Sequence, residues 1–328
     1  MDAASANPII RDRVPKILVG LSIAIRSWAY YHLADCISLP THAYLAMVDR
    51  SSHLKISTGQ VFWRESGNSE NPVVIFLHGS WEDSQQWEKI IEPLSKNFHC
   101  LAIDLLGFGN STAIETPSSI EVEVDCLHQF LTALKLHPVY FVGHSLGAWV
   151  AVSYTLKYPD LVQGVVVISP EGFSLAYWQQ YNQFTKWLLM RPWLFRLWVS
   201  GMKVMASISD GAYPMVKHQP QWTLLDKFPT TYQLFFERSI DLIDRELVAA
   251  RLLQFRKSLL VLQNEADDRL TIEQSQAYAK AVWKAEYQWI KNAESISTQD
   301  TDIQIALEIQ GFIDRVQTKI DREEVDLW

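Results

Sequence analysis

Val139-Tyr140-Phe141-Val142-Gly143-His144-Ser145-Leu146-Gly147-Ala148-Trp149 runs an apolar strand straight into a helix through Gly-His-Ser-Leu-Gly. So abrupt a turn forces Ser145 into a strained backbone conformation, and glycines at 143 and 147 remove the side chains that would collide in it. The Ser145 hydroxyl is thereby held at the C-terminal edge of a sheet. The helix that follows begins with unsatisfied N–H groups and a positive dipole end, so the Leu146 amide can stabilise a developing oxyanion.

Working outward, strand-like and helix-like segments alternate. His53 to Ser57 and Gln60 to Glu65 read as a strand pair, and Pro72 to Leu77 is an apolar run of the buried type, followed by the turn His78-Gly79-Ser80-Trp81. Gln85 to Ser95 carries helical periodicity, and Cys100 to Leu105 is strand-like. It leads into Asp104-Leu105-Leu106-Gly107-Phe108-Gly109-Asn110-Ser111, read as a structural turn in every residue. A helix is predicted from the N-cap-like Ser119 to Leu134, another over Leu146 to Lys157, and strands over Val165 to Ser169, Leu259 to Gln263 and Glu286 to Ile290. This alternation predicts an α/β fold with a mainly parallel sheet covered by helices on both faces.

The three turns, each after its own strand and in this order, resemble the α/β-hydrolase family: a His-Gly-x turn, a D-x-x-G-x-G-x-S turn, and a G-x-S-x-G nucleophile elbow. The resemblance runs from about Leu54 to the C-terminal helix. It implies an α/β-hydrolase core over 51–170 and 256–328, a helical cap over 171–255 and an N-terminal extension over 1–50. It further implies Ser145 as nucleophile, with the amides of Leu146 and Ser80, or alternatively Trp81, as the oxyanion hole.

The resemblance also implies an acid after a late strand and a histidine after the last one. Asn264-Glu265-Ala266-Asp267-Asp268-Arg269-Leu270-Thr271 supplies the acid, Asp267 by counting from the glycine position and Asp268 from the following D-x-L-T pattern. The histidine is missing. The last strand leads into Lys291-Asn292-Ala293-Glu294-Ser295-Ile296, where Glu294 and Ser295 stand for the usual Gly-His. The final histidine of the chain is His218, ahead of the acid and inside the cap, where it could reach the site only from above. His144 should point away from the nucleophile, and His78 should hold the oxyanion turn.

Composition narrows the function. With 328 residues, 48% apolar and 20% charged, the chain can bury a full core. A net charge of −8 excludes a phosphate-neutralising nucleic-acid surface. Cys36, Cys100 and Cys126 form neither a disulfide framework nor a metal motif, so a cytoplasmic protein without metal or organic cofactor is expected. Arg11, Arg13 and Lys16 precede an apolar run from Ile17 to Ile25, too short to span a bilayer. An amphipathic helix there either packs on the domain or makes a peripheral membrane contact. The cap is rich in aromatics, among them Trp178, Tyr181, Phe184, Trp187, Trp193, Phe195, Trp198 and Trp222, interleaved with Lys186, Arg191, Arg196 and Lys203. An apolar or lipid-like ligand is the natural expectation. Two readings stand: a serine hydrolase acting on an apolar ester or thioester with an incomplete triad, favoured by the intact elbow, and a pseudoenzyme binding a lipid-like or isoprenoid ligand or a protein partner, favoured by the missing base.

Overall fold

A computed structural model describes residues 50–113, 118–173, 228–291 and 299–325. The N-terminal extension, the aromatic stretch of the cap with His218, and the Glu294-Ser295 segment lie outside the described residues.

Among the described residues nine strands form one sheet: β1 (Arg50–Ile56), β2 (Gly59–Ser66), β3 (Val73–Leu77), β4 (His99–Ile103), β5 (Thr112–Ala113), β6 (Val139–His144), β7 (Val162–Ile168), β8 (Ser258–Asn264) and β9 (Glu286–Ile290). Their order is β1-β2-β4-β3-β6-β7-β8-β9, with the short β5 on β2. From β4 to β9 every pairing is parallel, whereas β2 meets its neighbours antiparallel. β3, β6 and β7 are rich in branched and aromatic residues, and they and β4 are buried almost throughout, as a sheet covered on both faces requires.

The flanking helices are α1 (Glu88–Leu94), α2 (Ile120–Leu134), α3 (Leu146–Lys157), α4 (Ile240–Glu246), α5 (Arg269–Ala281) and α6 (Gln299–Val325). The helix expected over Gln85 to Ser95 is divided: Ser84–Trp87 is a 3-10 turn capped by Asp83, and α1 follows. Ser119 caps α2, its hydroxyl accepting the Val122 N–H at 3.1 Å. The last part of the expected cap, 228–255, contains short helical segments, Pro229–Tyr232 and α4 among them.

This topology places the chemistry. The chain leaves β3 toward β4 on one side and returns to β6 on the other, so the order reverses between β3 and β6, the position at which open parallel sheets bind ligands. Leu77 is in register with Gly143, and Gly143 with Val167. The turns after β3, β6 and β7 therefore emerge side by side.

Candidate active site

Ser145 has φ 50° and ψ −111°, a left-handed conformation costly for a residue with a side chain, on the order of 1–3 kcal/mol. Its neighbours hold it there. Its N–H donates to the Ile168 carbonyl at the end of β7 at 3.0 Å, and the Gly147 N–H donates to the His78 carbonyl beyond β3 at 3.1 Å. A side chain at Gly147 would run into the Leu77 carbonyl, and one at Gly143 into the backbone of Ala148, so both glycines permit close backbone approach. Ser145 is buried, and among the described residues no acceptor takes the amide of Leu146 or of Ser80.

The turn after β3 is fixed from several sides. Buried His78 contacts the Gly79 carbonyl through Nδ1 at 2.8 Å and accepts the Leu105 N–H on Nε2 at 3.0 Å, so the proton is assigned to Nδ1. Burial holds its pKa below the ordinary value. Gln86 accepts the Gly79 N–H at 3.1 Å, and its amide nitrogen lies 2.8 Å from His144 Nδ1, tying turn to elbow. Burial takes His144 down to about 3, so its imidazole is neutral. Thr231 donates its hydroxyl to the Ser80 carbonyl. Asp104 accepts the amides of Ser84 at 2.6 Å and Asn110 at 2.7 Å, a structural use of the D-x-x-G-x-G-x-S turn.

The two acid candidates are placed differently. Asp268 caps α5, accepting the amides of Leu270 at 2.8 Å and Thr271 at 3.2 Å and the Thr271 hydroxyl at 2.8 Å. Asp267 is buried beside Ser169, whose hydroxyl donates to it at 2.5 Å, and accepts the Gln263 side-chain amide at 2.6 Å. Burial pushes Asp267 up to about 7 against the pull of these two donors.

One group at the nucleophile was not singled out by sequence reasoning. β7 leads into Ser169-Pro170-Glu171-Gly172, with Ser169 at φ 46° and Gly172 at φ 84°. Glu171 N–H donates to the Ser145 carbonyl at 3.3 Å, and its buried carboxyl faces the Ser145 side chain and accepts the Ser80 hydroxyl at 3.3 Å. Burial raises its pKa to about 7, while the Ser145 and Ser80 side chains work in the opposite direction. The structure thus joins Ser145, Ser80 and Glu171, and pairs Asp267 with Ser169 and Gln263. The signal was present: a glutamate between Pro and Gly directly after a buried strand, whose parallel register with β6 brings it level with the elbow.

Residues 72–200 match the family model described as the alpha/beta hydrolase fold. The chain is 34% identical over 128 residues to 1-acylglycerol-3-phosphate O-acyltransferase ABHD5 of Rattus norvegicus, covering 37% of this chain and 36% of that one. It is 32% identical over 118 residues to monoacylglycerol lipase ABHD6 of Homo sapiens, covering 35% of each. These matches span little more than a third of the relatives' length. A thermophilic esterase from Thermogutta terrifontis superposes with a TM-score of 0.59 at 18% identity, over 81% of this chain and 99% of that one. Sheet order, elbow and these likenesses together identify the chain as a protein of the α/β-hydrolase fold.

Proposed function

We propose that the protein is a serine hydrolase that cleaves an apolar, lipid-like ester or thioester through an acyl-enzyme on Ser145. The observation that carries this reading is the elbow: a strained, buried Ser145 beside two amides, Leu146 and Ser80, that no described acceptor occupies. Catalysis of acyl transfer depends on donors aimed at the charge that develops in the transition state, and backbone amides fixed by surrounding hydrogen bonds need no reorganisation to provide them. The tie from Gln86 to Gly79 and the bond from Thr231 to Ser80 are the fixing elements.

The apolar substrate rests on the aromatic composition of residues 178–222 and on the names of the relatives, an acylglycerophosphate acyltransferase and a monoacylglycerol lipase. Asp267, rather than the helix-capping Asp268, takes the acid's place in this scheme. Among the described residues no helix is long and apolar enough to cross a membrane.

Hydrolysis of p-nitrophenyl acyl esters of increasing chain length tests the reading. Turnover that grows with chain length and vanishes in Ser145→Ala is expected. A folded wild type with no turnover on any chain length, yet with saturable binding of a fatty acyl ligand, would establish the non-catalytic alternative instead.

A further inference from the structure

The geometry points to Glu171 as the group that accepts the Ser145 proton, in the role the missing histidine would play. This rests on the hydrolase reading above and names the base of that same site. A serine hydroxyl is a weak nucleophile without an adjacent acceptor, and no histidine follows Asp267 in the chain.

Glu171 is held beside the elbow by its own backbone. Its carboxyl faces the Ser145 side chain, and its own amide is bonded to the Ser145 carbonyl at 3.3 Å, so the two residues are fixed to each other by main chain as well as side chain. The segment that carries it is pinned on both sides of the glutamate. Ser169 N–H donates to the Leu262 carbonyl at 3.1 Å, Tyr278 donates to the Glu171 carbonyl at 2.5 Å, and Val248 N–H donates to the Gly172 carbonyl at 2.9 Å. Gly172 lies so close against the Trp149 ring that a side chain there would clash. Such fixing is what a general base needs to keep its reach to the proton it takes.

The carboxyl draws on neither oxyanion amide. It is met by hydroxyls, those of Ser80 and Ser145, and neither the Leu146 nor the Ser80 amide donates to it. Glu171 therefore engages the hydroxyls of the site and not the two amides. The titratable and polar groups around it are Ser145 from the elbow, Ser80 from the β3 turn and Tyr278 from α5, the last lying in the field of Arg251. Its pKa, raised to about 7, suits a base working near neutrality.

The steps balance with water as the only co-substrate. The Ser145 hydroxyl passes its proton to the Glu171 carboxylate as Oγ attacks the ester carbonyl carbon, and the carbonyl π pair moves onto the oxygen held by the two amides. Collapse breaks the bond to the alcohol oxygen, which takes the proton back from Glu171. Water then gives a proton to Glu171 and attacks the acyl-serine, and the bond between the acyl carbon and Oγ breaks as Oγ recovers that proton. One ester and one water become one acid and one alcohol.

The test is the rate of covalent labelling by a fluorophosphonate, followed from about pH 5 to about pH 9 in wild type, Ser145→Ala, Glu171→Gln and Glu171→Asp. The wild-type rate is expected to rise through an inflection near pH 7, and Ser145→Ala to stay unlabelled. Glu171→Gln is expected to label roughly a thousandfold more slowly with the inflection gone. Glu171→Asp keeps the titration with a shorter reach, and at least a tenfold loss is expected. Glu171→Gln labelling at the wild-type rate and pH dependence would leave the hydrolase reading standing and overturn Glu171 as acceptor. So would a wild-type rate without an inflection between about pH 6 and 8, a result that needs no variant to fold. A folded wild type that never labels would bring down both.

Discussion

Tyr278 donates its phenolic hydroxyl to the backbone carbonyl of Glu171 at 2.5 Å, linking the last turn of α5 to the residue that faces the nucleophile. The hydroxyl is fully buried, so Tyr278→Phe leaves the carbonyl short of a donor, a loss of about 1–2 kcal/mol of stability. If Tyr278 positions Glu171, the labelling rate also falls about tenfold, because small displacements of a base are expensive. The KM for an ester substrate should stay near the wild-type value. A variant that is less stable yet labels at full rate would reduce Tyr278 to a packing role.

Gln86 is the second support, since it reaches both the Gly79 amide and His144. Gln86→Leu removes both bonds from a part-buried site, and a cost of about 2–4 kcal/mol follows. The oxyanion turn would slacken with it. The expected signature is a kcat reduced about a hundredfold, the scale of losing one oxyanion donor, with Ser145 still present to react slowly. Unchanged kcat in a destabilised variant would show that Thr231 alone secures Ser80.

The sheet was legible because its strands are buried on both faces and so write themselves as unbroken apolar runs between turns. The elbow was legible because glycine is needed at both 143 and 147 for steric reasons. Glu171 was not, for a physical reason: it follows Pro170, the point where the alternation of strand and helix stops, so it read as the first residue of the inserted cap. Its position depends on the parallel register of β6 with β7 and on Ser169 and Gly172 taking positive φ, neither of which a linear pattern displays. The choice between Asp267 and Asp268 stayed open in sequence because both follow β8 within one turn. Only the hydrogen bonds of the folded chain separate a helix cap from a carboxyl turned toward β7.

That separation makes a sharp comparison. Asp268→Ala removes an N-cap and should cost about 1 kcal/mol while the fluorophosphonate rate holds. Asp267→Asn exchanges a buried acid for an amide of the same shape, which can still accept from Ser169 or Gln263 but adds a donor to a crowded site. The rate should then fall about tenfold, through the Ser169 turn that leads into Glu171. Thermal melts and labelling of both variants decide it: a rate loss confined to Asp268→Ala would reverse the assignment.

The buried acids also set the direction in which stability changes with pH. Burial raises Glu123 to about 8 and Glu171, Asp267 and Asp302 to about 7, all above their ordinary values. Each keeps its proton in the folded protein over a range where the unfolded chain has released it. The unfolded state then binds fewer protons, so these groups stabilise fully below about pH 4 and lose that contribution as pH rises through about 7 to 8. His78 and His144, held neutral by burial, act in the opposite sense, but only below about 6.5, where the unfolded imidazoles charge. Between pH 6.5 and 8 the raised carboxyls dominate among the described residues, and calorimetry should show Tm falling across that interval and continuing to fall above it, where the unfolded chain releases the protons that burial keeps on the Cys100 and Cys126 thiols. Glu171→Gln should flatten the fall, since glutamine has no proton to lose. The same ionisation that unmakes stability arms the base, so labelling should accelerate over the interval in which Tm declines; a Tm that climbs from pH 6.5 to 8 would show that these carboxyls are ionised in the folded protein and do not hold protons near neutrality.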